Sequence, residues 1–357
     1  MDIQEQACWL LLTFKCGLAI QVVNQIIKLW CQQSNRTLQQ FFAADVDERN
    51  VLCHLDEKVI RKLERIRQSD IAAHMDDVRF SSMLAEQIGM VKQLMNDSIH
   101  LLTVLDESYP RLLTSVLGEN QRPPMLFYMG DLRILERVTI AIIGSRTASE
   151  TSLAFTYETA HYLAENGANV VSGYARGVDR TAYEGAVSTQ GYTTVVLPHG
   201  INKLSNVQMY NVLPKIEAGN VLLLSQFHLD AHWLVSRAME RNHVVVALAQ
   251  VVIVAEANTQ GGTWNGALNA LEQKRPLYVC QTETPSVLAG NKALIERGGL
   301  PLNWSVEDSM KYSYTSGILS PILQEGDMLH QRQSGVMPLS HQLSRLLKEQ
   351  MLVYHNA

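Results

Sequence analysis

From Ala7 to about Met95 apolar residues recur at three- and four-residue spacing, as at Leu11, Leu18, Val22, Ile26 and Leu29. That periodicity predicts a small helical domain over residues 1–95. The pattern changes over residues 96–137, where the short run HLLTVL leads into the turn DESYP, and the paired prolines of RPPMLFYMGDL precede a second run. These are predicted strands and turns that approach a sheet. From Val138 onward, continuous apolar runs alternate with amphipathic stretches: VTIAIIG, NVVSG, TTVVLP, NVLLLS, QVVIVAEA and PLYVC. Strands buried on both faces read this way, because helices cover the sheet on either side. Glycines at positions 167, 191 and 219 stand where helices between the runs should end. The expectation is an α/β fold: a doubly wound, mainly parallel Rossmann-like sheet over residues 138–304, preceded by the small helical domain. Residues 305–357 form a weakly patterned tail without an assigned fold.

Composition narrows the class. The chain has 357 residues with 46% hydrophobic and 18% charged, which excludes a mainly disordered or fibrous chain. Thirty Lys+Arg against 35 Asp+Glu give a net charge of -5, which argues against coating nucleic acid through bulk positive charge. The five cysteines are scattered without a C-x-x-C pair, as expected for a reducing cytoplasm without a zinc ribbon. The apolar stretch Trp9–Ile20 contains Lys15 and is shorter than a membrane span, and the acidic start does not resemble a signal peptide. A cytoplasmic protein without a membrane partner is therefore expected.

In an open parallel sheet, ligands gather beyond the carboxyl ends of the strands. After the first long run stands Gly144-Ser145-Arg146, a tight turn followed by a hydroxyl and a planar cation suited to phosphate. SGYARGVD follows the second run and opens a helix whose free N–H groups favour an anion. Pro198-His199-Gly200 follows the third run, and after QVVIVAEA comes TQGGTWNG, a further predicted anion cradle at a helix start. Arg237 and Arg241, four residues apart, share one face of the intervening helix. Between Val138 and Cys280 there are six Arg and three Lys against ten Asp+Glu, and five of the arginines lie in these segments. Arginine concentrated at the ligand edge of a near-neutral domain points to selective phosphate binding.

Asp179 and Glu256 have two readings, as acid/base groups or as a helix cap and a hydrogen-bonding brace. His228 and His232 stand four apart without a third ligand, so no metal is expected. The chain lacks G-x-S-x-G, H-E-x-x-H, a Walker A lysine and a G-x-G-x-x-G after the first strand. Dehydrogenases, P-loop NTPases and the common hydrolases are disfavoured.

Taken in order, TVLDESYP, PPMLFYMGDL, IAIIGSR, VVSGYARGVDRTAYEGA, RNHVVVALAQVVIVAEA and GNKALIERGG resemble the DprA/Smf family of DNA-processing proteins. The resemblance covers most of the chain to about Trp304, and the N-terminal helices also look like that family's helical domain, with KCGL at Gly17 in place of its glycine-rich turn. It implies a homodimer, without a cofactor, that binds single-stranded DNA at the strand ends and helps to load the RecA recombinase. By position, Ser145 and Arg146 would hold phosphate, and Gly173, Ala175, Arg176 and Gly177 would present N–H groups and a cation. Arg241 and Asn242 match the first two residues of the family's R-N-R, and Gly261, Gly262 and Thr263 fall in its small Gly/Ser loop. His243 replaces the second arginine, which would make that contact pH-dependent, and Arg237 is the one candidate for the basic residue that precedes R-N-R. No winged-helix pattern follows Trp304.

Three functions compete on the sequence. The first is a non-enzymatic single-stranded DNA-binding protein of recombination, DNA processing or phage defence. The second is a nucleotide-sensing regulator using the same pocket, such as the antitoxin that restrains a cognate toxin or other defence protein. The third is a nucleotide hydrolase, for which GGT at Gly261–Thr263 matches only part of the P-G-G-x-G-T loop of distant relatives.

Overall fold

The computed structural model describes residues 1–67, 76–282, 289–305 and 312–334. The chain divides into two units, each assembled from more than one segment: Met1–Gly130 with Val196–Glu217 and Leu222–Val244, and Asp131–Val195 with Ala218–Val221 and Val245–Ala357.

In the first unit the predicted helical region forms α1 (Ile3–Leu10, continued by a π-helical turn Leu11–Lys15), α2 (Ile20–Ile26, continued likewise through Gln33), α3 (Leu38–Ala43), α4 (Val46–Cys53), α5 (Glu57–Arg67) and α6 (Asp76–Asn96). Their spaced apolar residues converge on a core of Trp9, Leu10, Leu11, Leu12, Trp30 and Phe41, all fully buried. Side-chain caps set the starts of four of these helices: Asp2 accepts from the Glu5 N–H, Asp45 from the Glu48 N–H, Asp56 from the Val59 N–H, and Thr37 with Gln40 forms a capping box. Strands β1 (His100–Thr103) and β2 (Met125–Met129) pair antiparallel. The TVLDESYP turn between β1 and the short α7 (Arg111–Val116) is held by Asp106, whose Oδ2 accepts from the N–H and hydroxyl of Thr103 at 2.6 and 2.7 Å. Tyr109 of the same turn donates to the Pro123 carbonyl at 2.6 Å.

The second unit carries the parallel strands that the apolar runs predict. They are β3 (Thr139–Ile143), β4 (Asn169–Ser172), β5 (Tyr192–Val196), β7 (Val251–Val254) and β8 (Leu277–Thr282), while the run NVLLLS forms β6 (Val221–Ser225), which belongs to the first unit from Leu222 onward. The sheet has nine strands in the order β1-β2-β6-β5-β4-β3-β7-β8-β9. The ninth, β9 (Leu300–Trp304), pairs parallel with β8. Helices follow the strands: α8 (Glu150–Glu165), α9 (Val178–Ser188), α10 (Asn206–Glu217), α11 (Val235–Ala247), α12 (Gly262–Glu272) and α13 (Ala289–Glu296). The result is an α/β fold with a mostly parallel sheet and a helical N-terminal region.

Two local readings change. Gly167 and Gly219 do end helices in the left-handed region, at φ +82° and +77°, but after α9 that role falls to Gln190 at φ +58°. Gly191 is glycine for space, since a Cβ there would lie 2.6 Å from the Ala164 carbonyl oxygen. The tail, unassigned from its pattern, contains α14 (Tyr312–Ser334). This helix packs on α8 and buries Leu319 and Ile322 in the core that α8 and α9 form over β3, β4 and β7. Its weak apolar pattern follows from its polar contacts: the Ser320 hydroxyl pairs with Tyr162 at 2.8 Å, and Glu325 accepts from Tyr278 at 2.7 Å. The rest of the tail, 305–311 and 335–357, lies outside the described residues except for Ser305.

Candidate functional site

Strand β3 lies at the topological switch point: β4 and β5 extend the parallel sheet to one side of it, β7, β8 and β9 to the other. The loops after β3 and β7 therefore face each other across the crevice where doubly wound folds hold ligands. In the β3 loop, Gly144 and Ser145 are half-buried and Arg146 is exposed. The Ser145 N–H donates to the Glu256 carbonyl at 2.9 Å, and the Ser145 hydroxyl accepts from the Thr147 N–H at 3.1 Å. The loop ends at Ser149, the N-cap of α8, whose hydroxyl accepts from the Ser152 N–H.

Glu256 stands directly beyond β7 and is only 9% exposed. Its Oε2 accepts from the Ser149 N–H at 2.9 Å and from the Ser149 hydroxyl at 2.8 Å. Of the two readings open for this residue, the structure realises the brace. Asp179 is not the cap of α9; that position belongs to Gly177, without a side-chain cap bond, and Asp179 sits in the first turn.

The β4 loop packs directly on the β3 loop. Gly177 has φ +83°, and a Cβ there would collide with the Ser145 carbonyl oxygen, so this junction admits only glycine. The Val178 N–H donates to that same Ser145 carbonyl at 3.2 Å. Gly173 and Tyr174 are buried, Ala175 and Gly177 are half-buried, and Arg176 is exposed. Tyr174 is left-handed at φ +59° and is wedged between the Arg180 guanidinium, 3.8 Å from its ring centre, and the edge of the Tyr183 ring. Gly144, Ser145, Arg146, Gly173, Ala175, Arg176 and Gly177 are thus brought into one pair of interlocked loops.

The third predicted cradle, Gly261-Gly262-Thr263, opens α12. Gly261 is the N-cap at φ +99° and is exposed, a Cβ there would meet nothing within 4 Å, and the first turn holds no acidic residue. Sequence reasoning missed Asn291, 2% exposed, in the GNKALIERGG segment. Its Oδ1 accepts from the Ala257 N–H at 2.8 Å, and its Nδ2 donates to the Ala255 and Cys280 carbonyls at 3.0 and 2.8 Å. It fixes the backbone on both sides of Glu256. An asparagine beside a glycine before a helical pattern was the available signal.

The α11 group belongs to the first unit. Arg241 is 2% exposed, and its Nη1 donates to the Val196 carbonyl at 2.5 Å while Nε donates to Asn242 Oδ1 at 3.1 Å. Arg237 donates to the His232 carbonyl and lies over the Phe227 ring. Asn242 and His243 are half-buried. The shared face that four-residue spacing predicts for Arg237 and Arg241 is therefore graded, from a half-buried side chain to a buried one. His228 and His232 lie in the segment before α11 rather than on a helix, and His228 Nδ1 accepts from the Asp230 N–H at 3.3 Å. Burial pushes the pKa of His228 down, as it does for His199, where the Gly200 carbonyl opposes the shift and Arg241 adds to it. Burial also drives the thiols of Cys8, Cys16, Cys31 and Cys280 up to about 12, which leaves them protonated at neutral pH. Among the described residues, no three His, Cys, Asp or Glu side chains gather as metal ligands, and no helix is long and apolar enough to cross a membrane.

A model of the family described as DNA recombination-mediator protein A matches residues 100–312. Protein Smf of Escherichia coli K12 is 30% identical over 179 residues, 50% of this chain. The match spans about half of that relative, 47% of its length. DNA processing protein A of Streptococcus pneumoniae superposes with a TM-score of 0.62 at 20% identity, over 85% of this chain and 97% of that one, a likeness of fold. DNA processing protein A of Helicobacter pylori, described for its single-stranded DNA binding mode, superposes with a TM-score of 0.51 at 27% identity, over 62% of this chain and 96% of that one.

Proposed function

The chain belongs to the DNA recombination-mediator protein A family, and from that premise we propose that it is a non-enzymatic protein that binds single-stranded DNA and serves DNA recombination, processing or defence against foreign DNA. The observation that carries the reading is the interlock of the β3 and β4 loops, which sets the exposed Arg146 and Arg176 on adjoining turns at the strand ends. Two planar cations held this way suit successive phosphates of one strand. Gly144, Ser145, Gly173, Ala175 and Gly177 shape these turns, and the start of α12 at Gly261, Gly262 and Thr263, with an exposed N-cap glycine and no acidic residue in its first turn, is a further candidate for phosphate. On α11, which belongs to the other unit, Arg237, Asn242 and His243 form a separate candidate phosphate contact, with Arg241 as its buried root. The Helicobacter pylori relative's single-stranded DNA binding supports the choice of ligand.

The same reading extends to a homodimer that passes its strand to RecA or a cognate defence protein. A neutral domain with focused arginines should bind single strands in preference to duplex, with affinity that falls with salt. The test is anisotropy of a labelled oligonucleotide, single-stranded against duplex, over a salt series, with Arg146→Ala and Arg176→Ala. Salt-sensitive, single-strand-selective binding that weakens in both variants is expected. Binding unchanged in both would overturn the loop assignment, and stabilisation by nucleotides without strand binding would favour the nucleotide-sensing regulator.

A further inference from the structure

The crevice at the switch point is where a doubly wound fold receives a free nucleotide's phosphates, on the first turn of the helix that follows the central strand. In this chain that place holds a carboxylate of its own. Glu256 reaches from beyond β7 to the start of α8 and accepts through Oε2 from both the N–H and the hydroxyl of Ser149. Its carbonyl meanwhile receives the Ser145 N–H at 2.9 Å, so side chain and backbone together tie down both ends of the 145–149 loop. Glu150, exposed in the first turn of α8, adds a second negative charge to the same helix start. The carboxylate is buried among donors, and Asn291 clamps the strand end that carries it. By contrast, the start of α12 has no acidic residue in its first turn.

We propose that Glu256 is a specificity-determining residue: an internal anion that fills the start of α8 and keeps the phosphates of free nucleotides out of the switch-point crevice. The inference rests on the reading that this edge of the sheet binds phosphate. Two anions within a few ångströms repel by several-fold to many-fold in affinity even when partly screened, whereas the Ser149 N–H and hydroxyl and the helix dipole that now serve Glu256 would otherwise favour the incoming group. Strand phosphates held by the arginine-bearing turns are unaffected, so the chain separates a polynucleotide backbone from a free nucleotide by charge, without reading a base.

The test uses the full chain and three variants, with ADP and inorganic pyrophosphate as probes. Glu256→Gln keeps an oxygen acceptor for Ser149 and removes the charge; Glu256→Asp keeps the charge and shortens the reach. Isothermal titration should show a gain of about tenfold or more in affinity for both probes in Glu256→Gln and none in Glu256→Asp. A merely structural brace would leave Glu256→Gln, which keeps the acceptor, like the parent and would perturb Glu256→Asp instead. Glu150→Gln removes the other charge and leaves both Ser149 bonds in place, and it should give a smaller gain of the same sign. Folded variants, judged by circular dichroism, that gain nothing for either probe overturn the proposal. Absence of strand binding by the parent would remove the DNA reading alone, because the probe titrations are decided independently of it.

Discussion

The interlocked loops after β3 and β4 and the helix α11 each present arginines, yet the fold treats the two sets differently. Arg146 and Arg176 are exposed on turns whose geometry is set by backbone contacts, with Gly177 pressed against Ser145. Arg241 is 2% exposed and donates to the Val196 carbonyl, so part of its donor fork serves the protein itself. A cation on a rigid turn can be removed with little cost to the fold, whereas a buried one cannot. Substitutions in the first set should therefore register in affinity and those in the second in stability.

The largest effect is expected at the loop junction. Gly177→Ala drives a Cβ into the Ser145 carbonyl oxygen at a positive φ, and should lower unfolding stability by about 3 kcal/mol in urea denaturation. Gly261→Ala, at a positive φ but in open space, should cost only about 1 kcal/mol. Equal losses would show that the interlock is not what makes the first position demanding. Next, Arg241→Ala should lose about 2–3 kcal/mol of stability, since a buried charge-assisted bond disappears; an unchanged urea midpoint would mean that the helix does not depend on that anchor.

Arg146→Ala should leave stability within about 0.5 kcal/mol but weaken single-strand binding by about 1–3 kcal/mol and reduce the salt slope by about one. A variant as unstable as Arg241→Ala would erase the contrast between turn and helix. The smallest effect concerns pH. Burial lowers the folded-state pKa of His199 and His228, so the native protein holds both neutral. Their contribution to stability is present above the ordinary histidine value of about 6.5 and is lost as pH falls from there through the lowered folded value. Denaturation at about pH 7.5 and about pH 5.5 should show the decline, and His199→Gln should flatten it.

How far the fold could be read in advance depended on burial. The runs that become β3 to β8 stood out because strands covered on both faces must be apolar throughout. β9 escaped notice, since LPLNW has exposed positions at Leu300, Pro301 and Asn303 and lies at the sheet edge. α14 was hidden because serine, glutamate and histidine side chains do much of its docking, through Ser320, Glu325 and the contact of Gln250 with His330.

The candidate site divides the same way. The parallel-strand pattern, the glycine-bearing turns and the family resemblance were all legible along the chain, because apolar runs and turn chemistry act over a few neighbouring residues. Folding in three dimensions was needed to bring Glu256 onto Ser149, 107 residues away, to press Gly177 against Ser145, and to bury Arg241 while leaving Arg146 exposed. Those outcomes depend on which strand ends become neighbours in the sheet, and that order arises from packing helices against both of its faces, not from any local run of residues.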